Sequence, residues 1–341
     1  MTVISHADAY QVLLLQAADD GRGPVLFGES FARAREVAQP FMVGETFPSV
    51  YLEHPLLGDP FVDVTVLFGK LEPGTSIDSP LAPECEGMLE WHTRAISEAD
   101  NICCGFELDT KDPSLPVAAV HCQPRAHIEL VEPFCEAVGE PERAAIYLSM
   151  SERMPKEWPL SFFGMFRGRP GSPLRVCGYL SNEEVGACAV PTHLAERFRE
   201  IGFSAYDDAM LEQVASLMAA APGTVDFQLD VMSDGTLGPT FAIDVQFEIA
   251  QPEAVCAAFT DGPAARVMEF LENCGVADER WHLVSEASFA RSIFAEDANG
   301  KVGRYSFTLM PQWVKARWTN GVMQPAKHYF LAKAGMLETK A

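Results

Sequence analysis

The sequence predicts an α+β protein: an antiparallel β/α barrel of repeated hairpin-plus-helix units, helices outside, around a solvated polar lumen. Two stretches carry the first observation. CCGFELDTKDPSLPVAAVHCQP (103–124) and VDFQLDVMSDGTLGPTFAIDVQFE (225–248) each run Phe-x-Leu-Asp, a polar turn with Leu and Pro, then a second apolar run. The second observation is that three further hairpin patterns occur along the chain. The third is that helical patterns, not low-complexity linkers, separate them. A recurring unit that cannot bury its own apolar face must stack on its copies, and closing the sheet removes its edges.

The first hairpin is expected in FVDVTVLFGKLEPGTS (61–76), with Val62, Val64, Val66 and Phe68 on one face and Asp63 and Thr65 on the other. The second and fourth are the rhyming pair. The third is SFFGMFRGRPGSPLRVCGYL (161–180), turned at Arg-Pro-Gly-Ser-Pro. The fifth spans 304–332, with Asn320-Gly321 as a turn signal. Helices are expected in CEGMLEWHTRAIS (85–97), HIELVEPFCEAVG (127–139), HLAERFREIGF (193–203), DDAMLEQVASLMAAAPG (207–223), PEAVCAAF (252–259) and AARVMEFLENCG (264–275). In the last, Val267, Phe270, Leu271 and Cys274 keep helical spacing and Gly275 is a stop. ERAAIYLSMSERMP (142–155) suits helix or strand. The division is a helical or extended segment, 1–54, packed on one barrel-like domain, 55–341.

Alternation assigns the faces. Phe227, Leu229 and Val231 alternate with Asp226, Gln228 and Asp230, and Phe241, Ile243, Val245 and Phe247 with Asp244, Gln246 and Glu248. Glu107 and Asp109 share a face, as do His121 and Gln123, and as do Arg175, Cys177 and Tyr179. A half-buried antiparallel sheet shows this pattern. Phe106 and Phe227 are therefore expected against helices, and Asp109 and Asp230 in a shared interior.

Bulk properties exclude several classes. The 341 residues are 48% hydrophobic and 21% charged, enough to bury a core. A net charge of −23 argues against nucleic-acid partners and anionic membranes. The N-terminus lacks the basic region and long apolar core of an export signal, and no apolar run reaches membrane-span length. Nine cysteines without a C-x-x-C suggest neither a disulfide framework nor a zinc finger, and fit a reducing cytoplasm. Nucleotide-loop, zincin and nucleophile-elbow motifs are absent. Cys103, Cys104, His121, Cys122 and His127 cluster in sequence, but strand alternation sends neighbours to opposite faces, which leaves too few ligands for zinc.

This arrangement resembles the ABBA, or PT-barrel, prenyltransferases, including the bacterial peptide-modifying kind found with cyanobactins. The resemblance is architectural, spans roughly residues 55–335 and has no short diagnostic motif. It implies ten strands around a lumen with helices outside. It also implies transfer of a prenyl group from an allylic diphosphate to a peptide or small aromatic acceptor. That chemistry asks for cations, with or without Mg²⁺, at the departing diphosphate, and aromatic faces at the allylic cation. It also asks for a carboxylate that orients or deprotonates the acceptor. Glu107 and Asp109 are the candidates for the carboxylate. Arg175, Tyr179, Asp226, Asp230, Asp244, Lys315, Arg317, Lys327 and Tyr329 are the candidates for substrate binding, and no residue set is assigned to a metal.

Two questions stay open on the residues alone. Lys315, Arg317 and Lys327 suit a lumen or the outer side of an edge hairpin, and Arg167 and Arg169, flanking a turn, read as solvent-facing. The carboxylates of the fourth hairpin suit a cationic ligand better than a diphosphate. A non-catalytic barrel that binds a peptide or a cationic small ligand in a modified-peptide pathway is therefore the alternative, and a scaffold acting through its outer helices is a third.

Overall fold

The computed structural model describes residues 8, 11, 23–44, 48–82, 85–98, 102–110, 117–124, 127–169, 171–296 and 302–337. The strands in chain order are β1 (Ser49–Pro55), β2 (Asp63–Leu67), β3 (Cys103–Leu108), β4 (Ala119–Gln123), β5 (Phe162–Met165), β6 (Leu174–Leu180), β7 (Val225–Val231), β8 (Leu237–Gln246), β9 (Phe289–Glu296), β10 (Val302–Thr319), β11 (Val322–Met323) and β12 (Lys327–Leu337). Ten of them form a ring in the order β10-β12-β1-β2-β3-β4-β5-β6-β7-β8. The ring closes where β8 pairs antiparallel with β10, from Trp313↔Gln246 to Thr319↔Thr240. β9 pairs only the first part of β10, and β11 its last residues. At the β10–β11 turn Asn320 and Gly321 both have positive φ, 52° and 79°. That backbone matches the right-handed twist of the strands it joins.

Helices wrap the ring because their apolar stripes meet the outer faces of the strands. Helix Pro191–Ile201 buries Leu194, Phe198 and Ile201 at helical spacing. Helix Asp208–Ala220 starts at Asp207, whose carboxylate accepts from the Met210 N–H at 2.8 Å. Phe227 stacks outward at 4.8 Å on Trp158, and Phe106 meets Phe41 at 5.0 Å. Gly178 makes that first contact possible. A Cβ there would lie 1.9 Å from the Pro159 carbonyl oxygen and 2.8 Å from the Phe227 ring.

Two expectations are corrected, one open choice is resolved, and two elements are added. The first hairpin is β1–β2, in register from Ser49↔Leu67 to Glu53↔Asp63, and the segment after Leu67 is irregular. Consequently β1 belongs to the barrel although it lies ahead of residue 55. Its polar residues point both ways, Glu53 inward and His54 into the helical layer, so it shows no clean alternation. Residues 142–155 resolve as helix Glu142–Arg153, burying Ala144, Tyr147 and Met150. Helix Asn182–Cys188 and strand β9 are present without having been expected. The polar turn at 111–116, Pro170 and the first 22 residues apart from Asp8 and Gln11 lie outside the described residues.

Candidate ligand-binding lumen

Because side chains alternate along each strand, the residues opposite the apolar set converge inside the ring. A space of about 550 Å³ is lined by Tyr51, Cys103, His121, Tyr179, Asp226, Asp244 and Trp313 among others. A tighter recess of about 30 Å³ is lined by Arg169, Arg175, Asp230, Arg317 and Lys327. Glu53, Glu107, Gln228, Lys315 and Tyr329 line both.

The recess is cationic. Five Arg and Lys side chains line it against three carboxylates. Arg175 donates from Nε to Asp230 Oδ1 at 2.9 Å, with Nη2 3.5 Å from Oδ2. Arg169 donates to Glu107 Oε1 at 2.6 Å, and His121 meets Glu107 Oε2 at 3.2 Å. Both guanidiniums flank the Phe166 ring, 4.3 and 4.4 Å from its centroid. Lys327 and the Tyr329 hydroxyl both donate to Glu53, and Asp63 lies 3.9 Å from Lys327. Arg317 differs. It lies half-buried and, among the described residues, its guanidinium has no carboxylate or hydrogen-bond acceptor.

These contacts set the charge states. Burial alone would raise Glu107, but Arg169 and His121 outweigh it and hold the carboxyl well below its ordinary value. Burial opposes Glu53 in the same way, and Lys327 more than offsets it, so Glu53 is lowered and ionised. Burial, then the Glu53 charge, pushes Asp63 up to about 7. Burial, then Arg175, lowers Arg317. Arg169, Arg175 and Lys327 are shifted the other way. Burial opposes the charge of Arg175, yet Asp230 raises it.

Aromatic faces border the recess. Trp313 stacks on Tyr329 at 4.9 Å and 24°, Tyr51 meets Trp313 at 4.8 Å, and Lys315 Nζ lies 5.0 Å over the Tyr329 ring. The far wall is acidic. Asp226 and Asp244 are register partners on β7 and β8. Burial, then Asp244, pushes Asp226 well above the carboxylate range, and burial raises Asp244 to about 6.

The structure thus brings together Glu107, Arg175, Tyr179, Asp226, Asp230, Asp244, Lys315, Arg317, Lys327 and Tyr329. Asp109 stands apart, at the rim, 3.8 Å from Arg169 and lining a separate small space with Leu81 and Phe166. Lys315, Arg317 and Lys327 face inward rather than outward. Arg169 is a correction: stacking on Phe166 and pairing with Glu107 draws it into the lumen instead of solvent. Arg167 is likewise mostly buried, 3.7 Å from Glu140. The Cys/His cluster divides as alternation requires. Cys103 and His121 face the lumen, whereas Cys104 and Cys122 pair on the outer side, fully buried. Glu53 and Tyr51 were not singled out in the sequence, and Asp63, Gln228 and Arg169 were read there without a site role. The missing signal for the first was the strand itself, since Tyr51 and Glu53 already sit two apart.

Elsewhere among the described residues, Glu184, Cys188 and His193 lie close enough to share an ion. Arg197 already donates to Glu184 at 2.8 Å, so a cation is present there. No described helix is long and apolar enough to cross a membrane.

No protein-family model matches the chain, and no curated protein matches it significantly. Solved structures match in fold. 5-Dimethylallyltryptophan synthase from Streptomyces coelicolor is 14% identical, with a TM-score of 0.52 over 97% of this chain and 98% of that one. The same enzyme in complex with DMASPP and Trp gives 0.50 at 14% identity, over 97% and 96%. AnaPT from Neosartorya fischeri gives 0.50 at 10% identity, over 92% and 89%. The closed ten-stranded barrel with outer helices is thus the PT-barrel fold.

Proposed function

We propose that the barrel transfers a prenyl group from an allylic diphosphate to a small aromatic acceptor. The observation that carries this reading is Arg317: a half-buried guanidinium without an acceptor, amid four other lumen cations and beside stacked aromatic faces. Burial and then Arg175 disfavour the charge of this guanidinium, and an anionic ligand supplies the partner that offsets it. The complex of the Streptomyces coelicolor enzyme with DMASPP and Trp supports the same donor and acceptor classes.

In this reading Arg317, Lys315, Arg175 and Lys327 hold the diphosphate. The allylic C–O bond breaks with its electron pair going to diphosphate, whose growing charge these cations stabilise. The Trp313 and Tyr329 faces stabilise the allylic cation and keep water from it. A ring carbon of the acceptor forms the new C–C bond, and its proton passes to a lumen base. Glu53 and Glu107 border both the recess and the larger space, so either carboxylate reaches the acceptor. Asp109, 3.8 Å from Arg169, helps orient the guanidinium that pairs with Glu107.

Mg²⁺ finds a poor donor set here. Glu53, Glu107 and Asp230 each already bind a protein cation, so neutralisation is assigned to Arg and Lys. A space of about 550 Å³ suits a small acceptor more than a peptide. The cysteine content of the sequence suits a reducing, cytoplasmic setting. The alternative, a non-catalytic barrel that captures a cationic ligand, draws on Asp226 and Asp244.

The test is mass spectrometry of product after incubation with dimethylallyl diphosphate and indole acceptors, with Mg²⁺ or EDTA. Calorimetry with the thiolodiphosphate analogue runs in parallel. Prenylated acceptor in EDTA is expected; absence of saturable binding of the analogue overturns the reading.

A further inference from the structure

The acidic wall has three oxygen acceptors without hydrogen-bond partners: Asp226 Oδ1, Gln228 Oε1 and Asp244 Oδ1. Their side chains are 4%, 5% and 3% exposed. All three residues line the larger space. Their remaining groups are already committed. Gln228 Nε2 donates to Asp244 Oδ2 at 2.6 Å, and Gln246 Nε2 to Asp226 Oδ2 at 3.2 Å. The amides are thereby oriented, and the Gln228 carbonyl oxygen is left without a donor. A buried acceptor without a donor is expensive and calls for a partner. Lys315 Nζ, 3.8 Å from Asp244 Oδ1, is outside hydrogen-bond reach.

A ligand that satisfies three acceptors at once must bring several donors and no acceptor. A primary ammonium has three N–H donors and none to spare as acceptors. The surrounding charge agrees. Among the described residues that line the larger space, Glu53, Glu107, Asp226, Asp244 and Glu248 stand against Lys315 as the single Lys or Arg, so a carboxylate on the ligand is disfavoured.

We propose that Asp226, Asp244 and Gln228 bind the protonated primary amine of the acceptor, which carries no free carboxylate: an arylalkylamine rather than a zwitterionic amino acid. This rests on the prenyl-transfer reading for the word acceptor, but the ammonium site is defined without it. Ammonium binding also moves protons. Asp226 and Asp244, both raised first by burial, give up protons more readily when an ammonium sits beside them. The charged and titratable groups facing the pair are Arg175, Cys177 and Tyr179 on β6, Tyr51 and Glu53 on β1, Tyr329 on β12 and, on β10, Lys315.

The experiment is calorimetry of the full chain with tryptamine, 3-methylindole, indole-3-propionate and tryptophan, without donor, in two buffers of different ionisation enthalpy. Tryptamine is expected to bind at least tenfold more tightly than the other three and to release protons near neutral pH. Asp226→Asn and Gln228→Leu should remove that preference while 3-methylindole binding persists. Equal binding of tryptamine and 3-methylindole by the wild-type protein overturns the proposal, whether or not the variants fold. Saturable Ca²⁺ or Mg²⁺ binding that Asp226→Asn abolishes also overturns it. Turnover without amine preference would defeat this inference alone, and amine preference without turnover would defeat the prenyl-transfer reading alone.

Discussion

His54 and His328 stand opposite each other on β1 and β12, Nε2 to Nδ1 at 3.0 Å, on the helical side of the barrel wall. Their rings lie among Phe27, Phe247 and Phe330, and neither is more than 1% exposed. Burial, then Arg280, lowers His54 to about 3, and burial, then His54, lowers His328 well below its usual value. Both rings are neutral in the fold.

This pair makes the barrel acid-sensitive. In the unfolded chain both imidazoles take up protons as pH falls through about 6.5, whereas in the fold they do not, so stability drops with falling pH. Asp226 and Asp244 titrate in the opposite sense, so the informative quantity is a difference between proteins. Between pH 7.5 and 5.5 the wild type is expected to lose about 3 kcal/mol relative to His54→Leu/His328→Leu. Urea unfolding at the two pH values measures it; parallel losses would refute the assignment.

Asp244 gives the opposite dependence. Its folded pKa, about 6, lies above the unfolded value. The penalty for ionising it is absent at low pH and complete above the folded pKa. Asp244→Asn should therefore stabilise the protein at pH 8, by roughly 3 kcal/mol, and leave it nearly unchanged at pH 4. Thermal melts across that range check this.

Arg317 separates function from stability. Arg317→Gln removes a half-buried cation that burial and Arg175 disfavour and that no described carboxylate contacts, so the melting temperature should hold or rise. Affinity for a prenyl diphosphate should fall by about 100-fold, the loss of a charge-assisted contact of about 3 kcal/mol. Calorimetry beside a melting curve shows both, and unchanged affinity would remove Arg317 from the donor site.

Glu53 carries more than its own charge. In Glu53→Gln the amide oxygen still accepts one hydrogen bond, but Lys327 loses its counter-ion inside the barrel. A stability loss of about 3 kcal/mol, with kcat/KM reduced at least tenfold, is expected from unfolding curves and product assays. If Glu107→Gln alone abolishes turnover and Glu53→Gln does not, Glu107 is the base.

The hairpins that alternate cleanly were legible because alternation is the direct imprint of a two-sided sheet. Val225–Val231 and Leu237–Gln246 are strands with Asp226, Gln228 and Asp244 on the lumen face, as their spacing demanded. β1 was not legible, because Glu53 and His54 are both polar and both buried, each satisfied by a residue 274 positions away. Arg169 was misread for a related reason. A turn arginine is ordinarily solvated, and only Phe166 of its own turn and Glu107, fixed by β3, draw it inward.

By itself, the sequence determined the hairpin-plus-helix repeat, the apolar outer face and which acids and bases share a strand face, since these follow from local periodicity. Tertiary structure decided which charges meet. Closure of β8 on β10 brings Lys315 to Asp244, and pairing of β1 with β12 brings Lys327 to Glu53. It also leaves Arg317 without an acid and the Asp226 and Gln228 oxygens without donors. Charge in a buried lumen depends on distances across the ring, and no local pattern in the chain encodes those.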